Sequence, residues 1–155
     1  MKYTESQINK ISKDLQNKIK GKVLSDPFSR GRYSTDSSLY QITPLGAVLP
    51  KDQNDVLNLM EYSQKNSIPL LARGGGSSQC GQTVNEAIVL DYSMHQNKIL
   101  ELNLEEKYVW VQPGIVLDSL NKYLKPHGLW FPVDVSTSSR ATIGGMTGNN
   151  SCGSR

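Results

Sequence analysis

The sequence predicts an α+β fold, in which a small parallel βαβ subdomain precedes a mixed or antiparallel β subdomain with helices. In the first half of the chain, a segment with helical periodicity lies between two short apolar runs, which is the order of a βαβ unit. In the second half, apolar and polar residues alternate as they do in a strand with one buried face. Apolar residues make up 37% of the 155 residues, so the chain can bury a modest core.

Residues 1–22 are predicted to form an N-terminal amphipathic helix. Thr4 and Gln7 have the spacing of a capping box, and Gly21 can end the helix. Residues 1–32 carry eight Lys or Arg against three acids, which accounts for the positive net charge of +3. The lysines of the helix have no interleaved aromatic residues, so we interpret them as a solvated face and expect no nucleic-acid partner. The apolar face consists of residues spaced by three and four, namely Ile8, Ile11, Leu15 and Ile19.

The βαβ unit is predicted from three consecutive segments. Gly46–Pro50 has the composition of a short strand, and Asp52 is a suitable N-cap for a helix that ends near Asn66. The apolar run Ile68–Ala72, which lies between a helix and a glycine cluster, predicts a buried strand. Two strands joined by one helix are expected to run parallel.

The remaining elements follow a different pattern. Ala87–Leu90 predicts another strand, and the alternation within Leu100–Val111 predicts a hairpin. A third helix is predicted over Val116–Leu124, where Pro126 and Gly128 would stop it. We therefore expect a second, β-rich part that begins after the βαβ unit.

Glycine clustering is the most informative feature of the chain. Eight of the 13 glycines fall in two windows, Arg73–Gly81 and Gly144–Gly153. In the first window, which follows a predicted strand, successive backbone N–H groups can converge on an anion, and Ser77 and Ser78 add hydroxyl donors. The first window therefore predicts a phosphate-binding loop, with a merely flexible loop as the alternative.

Two common nucleotide motifs fail in this window. The spacing of Gly76, Gly81 and Thr83 fits a P-loop, but Gln82 occupies the position of the phosphate-binding lysine. A dinucleotide fingerprint fails because Gln79 replaces its third glycine. We therefore do not expect an ATPase or a Rossmann-type site.

The second window is also predicted to contact a ligand. Thr142 can cap a short helix, and the adjacent Gly144 and Gly145 allow close backbone approach to a planar or anionic group. Two such windows suggest one long ligand that touches both.

Four motifs in order resemble a known family. The patterns R-G-G-G-[ST], V-x-P-G, P-x-D and T-I-G-G-M, together with Tyr33–Tyr40 and Pro44, resemble the PCMH-type FAD-binding domain of the vanillyl-alcohol oxidase superfamily. Within it, the chain is most similar to the FAD-linked D-lactate and D-2-hydroxyglutarate dehydrogenases. The resemblance implies an FAD-binding domain over residues 23–155 that is truncated, so that only the beginning of its second subdomain is present.

The resemblance also implies a set of cofactor-binding residues. The first loop would hold the FAD diphosphate, and the segments after it would lie along the flavin and the rest of the cofactor. The residues implied are Gly74, Gly75, Gly76, Ser77, Ser78, Gly81, Gln82, Pro132, Asp134, Ser136, Thr142, Gly144, Gly145, Asn149 and Ser151. The FAD is expected to be non-covalent, because neither His95 nor His127 lies in a glycine window.

The expected function is that of the FAD-binding portion of a dehydrogenase or oxidase for a D-2-hydroxy acid. The family's catalytic and metal-binding residues lie beyond this segment, so we expect neither here, and we expect this fragment alone to be inactive. The hydroxy acid would bind only to the complete enzyme, and a homodimer or a downstream chain would complete the fold. The alternative is a catalytically silent remnant that serves as an interaction module.

Location and redox state are predicted from simpler features. The N-terminus lacks an apolar signal stretch and no apolar run approaches bilayer length, so a cytoplasmic protein is expected. Cys80 and Cys152 stand alone, without a partner at disulfide or metal-ligand spacing, and are expected to be reduced.

Overall fold

The computed structural model describes residues 3–151 and confirms an α+β fold with one mostly parallel and one antiparallel sheet. A 3₁₀ turn over Lys125–His127 follows the fourth helix. The helices are α1 (Glu5–Gln16), α2 (Pro27–Arg32), α3 (Gln53–Asn66), α4 (Leu117–Leu124) and α5 (Ile143–Gly148). The strands are β1 (Lys22–Leu24), β2 (Gly46–Leu49), β3 (Leu70–Arg73), β4 (Ile88–Asp91), β5 (Ile99–Asn103) and β6 (Tyr108–Val111).

The first sheet has the strand order β1-β2-β4-β3. Strands β2 and β3 both run parallel to β4, with Ala47 and Leu71 opposite Val89, and β1 pairs antiparallel with β2. Helix α3 connects β2 to β3, starts at the N-cap Asp52 and ends at Ser67, which adopts a left-handed conformation. The predicted parallel βαβ unit is therefore confirmed.

Helix α1 packs against this sheet together with α3. Ile8 and Leu15 are buried in the same cluster as Val48, Leu59 and Ile88. The capping box of Thr4 and Gln7 is formed as predicted, and all the lysines of residues 3–22 are exposed. The N-terminal helix thus buries its apolar face in the core of the sheet and turns its basic face to solvent.

The end of α1 differs from the prediction. The helix stops at Gln16 with Asn17 as its C-cap, and a turn carries the buried Ile19 into the core. Gly21 does not end the helix. A Cβ at this position would overlap the backbone carbonyl of Leu49. Glycine is therefore required here because the chain passes very close to β2.

Strand β3 is an edge strand, although it was predicted to be buried. It pairs with β4 on one side only within the described chain, and Ala72 is exposed while Leu70 and Leu71 are half-buried. A short apolar run bounded by glycine is compatible with a central strand or with an edge strand, because it is too short to show which of its faces is buried.

Two short elements were not predicted. Strand β1 has three residues, and its pairing with β2 depends on the sheet rather than on its own sequence. Helix α2 begins at the N-cap Asp26, whose carboxylate accepts from the backbone N–H of Ser29, and has Pro27 at its first position. At six residues, α2 is too short to show helical periodicity in the sequence.

The β-rich second part contains the predicted hairpin of β5 and β6 and the predicted helix α4. Ile115, Leu120 and Leu124 are buried against the inner face of the hairpin, on which Leu102 and Val109 lie. After α4 the chain turns through Lys125–His127 to the left-handed Gly128, and an isolated bridge joins Val116 to Thr142. No helix within residues 3–151 is long and apolar enough to cross a membrane.

Candidate cofactor-binding site

A cleft of about 320 Å³ opens at the carboxyl ends of β3 and β4. Its other wall is formed by the chain just before α5 and at the start of α4. Ligands of α/β sheets bind in crevices at the carboxyl ends of parallel strands, so this is the expected position for a site. The lining residues are Arg32, Tyr33, Arg73, Gly74, Gly75, Asp91, Ser93, Val116, Arg140 and Thr142.

At this cleft the first glycine window contacts residues 140–142, the segment that leads into the second window. A Cβ at Gly74 would overlap the Thr142 side chain, and a Cβ at Gly75 would overlap the backbone carbonyl of Arg140. The sequence predicted that these glycines make room for a ligand. In the structure, the space that a Cβ would need at either glycine is occupied by residues 140 and 142, which lie just before the second window.

Five successive backbone amides of the first window, at residues 74–78, have no protein acceptor within the described chain. Across residues 3–151, the N–H groups of residues 74–78 donate to no backbone or side-chain oxygen. Gly76 adopts a left-handed φ of +64°, which turns the chain at this point. Five successive free N–H groups after a strand fit an anion with several oxygens, such as a diphosphate.

Arg73, the last residue of β3, lies beneath this loop. Its guanidinium donates to the carbonyl of Thr35 at 2.9 Å and to that of Thr83 at 3.1 Å. Its Cζ lies 5.5 Å from the ring centroid of Tyr33. A Cβ at Gly76 would lie 2.5 Å from the Arg73 Nη2, so the loop passes directly over the guanidinium.

Tyr33 and Asp91 form a buried pair at the floor of the cleft. The Tyr33 hydroxyl donates to Asp91 Oδ2 at 2.7 Å, and Asp91 Oδ1 accepts from the backbone N–H of Ser93 at 2.8 Å. Burial, followed by the hydrogen bond to the Asp91 carboxylate, raises the pKa of Tyr33 far above its ordinary value. The phenol therefore remains a protonated donor at neutral pH.

The cleft carries a surplus of positive charge. Three arginines, Arg32, Arg73 and Arg140, are among its lining residues, against the single acidic residue Asp91. That carboxylate is already engaged by Tyr33. The remaining field favours an anionic ligand.

A side-chain network joins the two windows on the exposed side of the loop. Gln82 Nε2 donates to Asn149 Oδ1 at 2.6 Å, and Asn149 Nδ2 donates to Ser151 Oγ at 3.2 Å. The Ser78 hydroxyl donates to Gln82 Oε1 and accepts from the backbone N–H of Cys80. Four of the residues implied by the family resemblance therefore lie in one connected group.

Residues 34–42 cover the far end of the loop. Asp36 Oδ2 accepts from the Thr83 hydroxyl at 3.0 Å, Asp36 Oδ1 accepts from the backbone N–H of Ser38, and the N–H of Ser37 donates to the Gly76 carbonyl at 3.2 Å. Partial burial acts to raise the pKa of Asp36, but the hydrogen bonds from Ser38 and Thr83 outweigh it and hold that pKa below its ordinary value. The loop is thus fixed at both ends.

The start of α5 uses its own amides within the protein. The N–H of Gly144 donates to Pro113 O at 2.8 Å, that of Gly145 to Thr142 Oγ1 at 3.2 Å, and that of Ile143 to Ile115 O. A Cβ at Gly144 would lie 2.6 Å from Pro113 Cβ. The expected close approach at the helix start is therefore to the protein itself, and these amides are not available to a ligand.

The third group of implied residues lies apart from the cleft. Pro132, Asp134 and Ser136 are exposed on the extended segment that precedes the second window, and none of them is among the lining residues. His95 and His127 are exposed.

Cys80 is free and exposed, whereas Cys152 and Gly153 lie outside the described residues. Residues 3–151 contain no group of three His, Cys, Asp or Glu that could hold a metal ion.

Sequence reasoning missed most of the side chains that line the cleft. Arg73 and Asp91 directly follow the apolar residues of two predicted strands, and the rule that sites form at strand carboxyl ends could have found them. Arg32 and Arg140 had no such signal, because they reach the cleft from distant segments. Tyr33 belongs to the Tyr33–Tyr40 motif of the family resemblance, but that motif did not indicate that its side chain reaches the cleft.

Known proteins are similar in sequence to most of this chain. A family model described as "FAD binding domain" matches residues 44–155. The chain is 44% identical to a D-2-hydroxyglutarate dehydrogenase of Pseudomonas putida, over 87% of this chain and 14% of that protein. It is 30% identical to the glycolate oxidase subunit GlcD of Bacillus subtilis, over 94% of this chain and 32% of that protein. The chain thus spans only a fraction of the relatives it matches.

Solved structures share the fold. An alkyldihydroxyacetonephosphate synthase superimposes with a TM-score of 0.81 and 22% identity, over 94% of this chain and 32% of that one. A p-cresol methylhydroxylase superimposes with a TM-score of 0.72 and 20% identity, over 94% of this chain and 30% of that one. Together with the matched family model, this likeness shows that the chain belongs to the family of PCMH-type FAD-binding domains.

Proposed function

We propose that this chain is the cofactor-binding portion of an FAD-linked dehydrogenase or oxidase that acts on a D-2-hydroxy acid of the D-lactate or D-2-hydroxyglutarate type. The observation that carries the proposal is the row of free N–H groups at residues 74–78, beside a cleft with three arginines. The choice of substrate class is supported by two relatives named D-2-hydroxyglutarate dehydrogenase, which are 44% and 42% identical to this chain.

The first window would hold the diphosphate of a non-covalent FAD. Its backbone N–H groups would donate to phosphate oxygens, and Ser77 Oγ would add a donor. Gly81, at a φ of +74°, would carry the chain away from the ligand to Gln82. The residues proposed for this task are Gly74, Gly75, Gly76, Ser77, Ser78, Gly81 and Gln82.

The second window would contact the rest of the cofactor. Because the amides at the start of α5 are engaged, we propose that this window contributes through its side chains and exposed surface. Thr142, Gly144, Gly145, Asn149 and Ser151 are proposed for this role, and Pro132, Asp134 and Ser136 are proposed to lie along the flavin.

When bound, FAD would supply the acceptor for the hydride that leaves the α carbon of the hydroxy acid, and that hydride carries both electrons of the oxidation. The residues of this chain would bind the cofactor, orient it and compensate the charge of its diphosphate. We assign no catalytic acid or base to residues 3–151. We propose that the hydroxy acid meets a longer polypeptide or a second chain that carries the catalytic groups.

Cofactor binding can be measured by titrating the protein with FAD in a calorimeter. We expect FAD to bind, ADP to compete with it, and riboflavin, which has no diphosphate, to compete poorly. A Gly31→Ala variant is a matched control, because a Cβ there meets nothing within 4 Å and Gly31 lies outside the cleft lining. Binding of riboflavin as tight as that of FAD would contradict the proposal.

Measurements of turnover test whether this chain binds FAD while another portion carries the catalytic groups. We expect weak FAD binding and no turnover by the 155-residue chain alone. The flavin absorbance should be bleached by D-lactate or D-2-hydroxyglutarate, and not by the L-enantiomers, only when the catalytic portion is present. Bleaching in the 155-residue chain would place the catalytic groups within it and overturn this division.

A further inference from the structure

We infer that Arg73 is a positioning residue of the cofactor site, which holds the loop of residues 74–83 in its binding shape and places one positive charge beneath it. The inference rests on the proposed function and assigns a role to a residue outside the cofactor-binding set named above. Three features of the structure support it.

The guanidinium connects the end of the loop to the segment that covers it. Thr35 lies on the segment that covers the loop, and Thr83 lies where the loop ends, yet Arg73 donates to both carbonyls. A planar group with donors in a fixed fork can make two such bonds in different directions. A lysine ammonium could not reach both carbonyls with the same geometry, so the arrangement depends on arginine rather than on positive charge alone.

The orientation of the guanidinium is set by the pair beneath it. The group lies over the ring of Tyr33, and the hydroxyl of that ring is held by the buried Asp91. Asp91 stands opposite Arg73 in the β3–β4 ladder. The strand ends of the parallel sheet therefore fix Tyr33, which in turn limits the positions open to the guanidinium.

The charge of Arg73 is not neutralised by the protein. The group forms no ion pair with any carboxylate of residues 3–151, and two hydrogen bonds use only part of its five N–H donors. The loop backbone passes over it at Gly76, which carries one of the five free amides. The cation is thus placed to compensate a diphosphate bound by those amides.

The test compares Arg73→Lys and Arg73→Gln with the parent and with a distant charge control, Lys125→Gln. Dissociation constants for FAD and for ADP are measured by calorimetry at several KCl concentrations. We expect both Arg73 variants to bind FAD and ADP about tenfold more weakly or worse, because both lose the paired hydrogen bonds from the guanidinium to the Thr35 and Thr83 carbonyls. Arg73→Lys should keep the salt dependence of the parent, whereas Arg73→Gln should flatten it, since one charge is lost.

Amide hydrogen exchange separates positioning from general stability. In Arg73→Lys we expect faster exchange at residues 74–83 and unchanged protection in β2. Loss of protection throughout the sheet would make Arg73 an ordinary stabilising residue and overturn the inference. Parent-like binding by Arg73→Lys would also overturn it, while leaving the proposed function intact. Failure of the parent chain to bind FAD at all would overturn both.

Discussion

Gln82 Nε2 donates to Asn149 Oδ1 at 2.6 Å, which joins two glycine windows that lie 67 residues apart in the sequence. The pair is exposed, so its partners must compete with water, and its net contribution is that of a single neutral hydrogen bond of about 1 kcal/mol. Its importance is geometric, because it fixes the end of α5 relative to the first loop.

Removing that bond should weaken cofactor binding more than it weakens the fold. We expect Gln82→Ala and Asn149→Ala each to raise the dissociation constant of FAD about fivefold, as loss of one neutral hydrogen bond implies. The double variant should be little worse than either single variant, since both remove the same interaction. Fully additive effects in this double-mutant cycle would show that the two side chains act separately.

Gly75→Ala should destabilise the contact between the first window and the segment that leads into the second. The added Cβ would overlap the Arg140 backbone carbonyl, which belongs to a backbone segment and cannot rotate away as a side chain could. We expect a loss of about 1–3 kcal/mol in the free energy of unfolding, measured in urea, together with weaker FAD binding. The control is Gly31→Ala, which has open space around its Cβ and should show neither effect. Unchanged stability in Gly75→Ala would mean that these two segments separate freely.

Alkaline pH should test the buried Tyr33. Because burial and Asp91 raise its pKa in the folded state, the folded protein holds the phenol proton more tightly than the unfolded chain does. Its contribution to stability is therefore complete below about pH 10, the ordinary tyrosine pKa, and is lost as the pH rises toward the folded-state value. Tyr33→Phe should be less stable at neutral pH but should lose less stability between neutral and alkaline pH.

The measurement for Tyr33 is urea unfolding followed by circular dichroism across that pH range. Tyr123→Phe, at an exposed position, serves as the comparison. Parallel stability curves for the parent and Tyr33→Phe would contradict the assignment of the alkaline loss to Tyr33.

The flavin should be released by acid. Neither His95 nor His127 lies in a glycine window or lines the cleft, so the structure offers no histidine there for attachment. After precipitation of FAD-loaded protein with trichloroacetic acid, we expect the yellow colour in the supernatant. Flavin that stays with the pellet after washing would indicate a covalent bond.

Local signals in the sequence were sufficient for the starts of three helices, α1, α3 and α5. Thr4, Asp52 and Thr142 each accept a hydrogen bond from a backbone N–H in the first turn of the helix that follows, and caps of this kind depend on only a few adjacent residues. The parallel direction of β2 and β3 also followed from local pattern, because one helix between two strands favours a parallel connection, but the position of β4 between them did not.

The parts that were missed depend on distant contacts. A side chain is excluded at Gly21 by the Leu49 carbonyl and at Gly74 by the Thr142 side chain. The loop after β3 is held by a hydrogen bond from Arg73 to the Thr35 carbonyl. The pattern of residues within one segment does not show which residues of a distant segment will pack against it. The residues that hold a ligand were therefore easier to infer than the residues that hold the loop.

The buried carboxylate of Asp55 has a practical consequence for anyone who divides this protein. It is 1% exposed and accepts backbone N–H groups from Lys20, Gly21 and Lys51, so two of its three donors come from the N-terminal segment. A chain trimmed to the family match, which begins at residue 44, would leave that carboxylate facing an uncovered core. The smallest piece worth expressing therefore starts well upstream of the region that sequence families recognise.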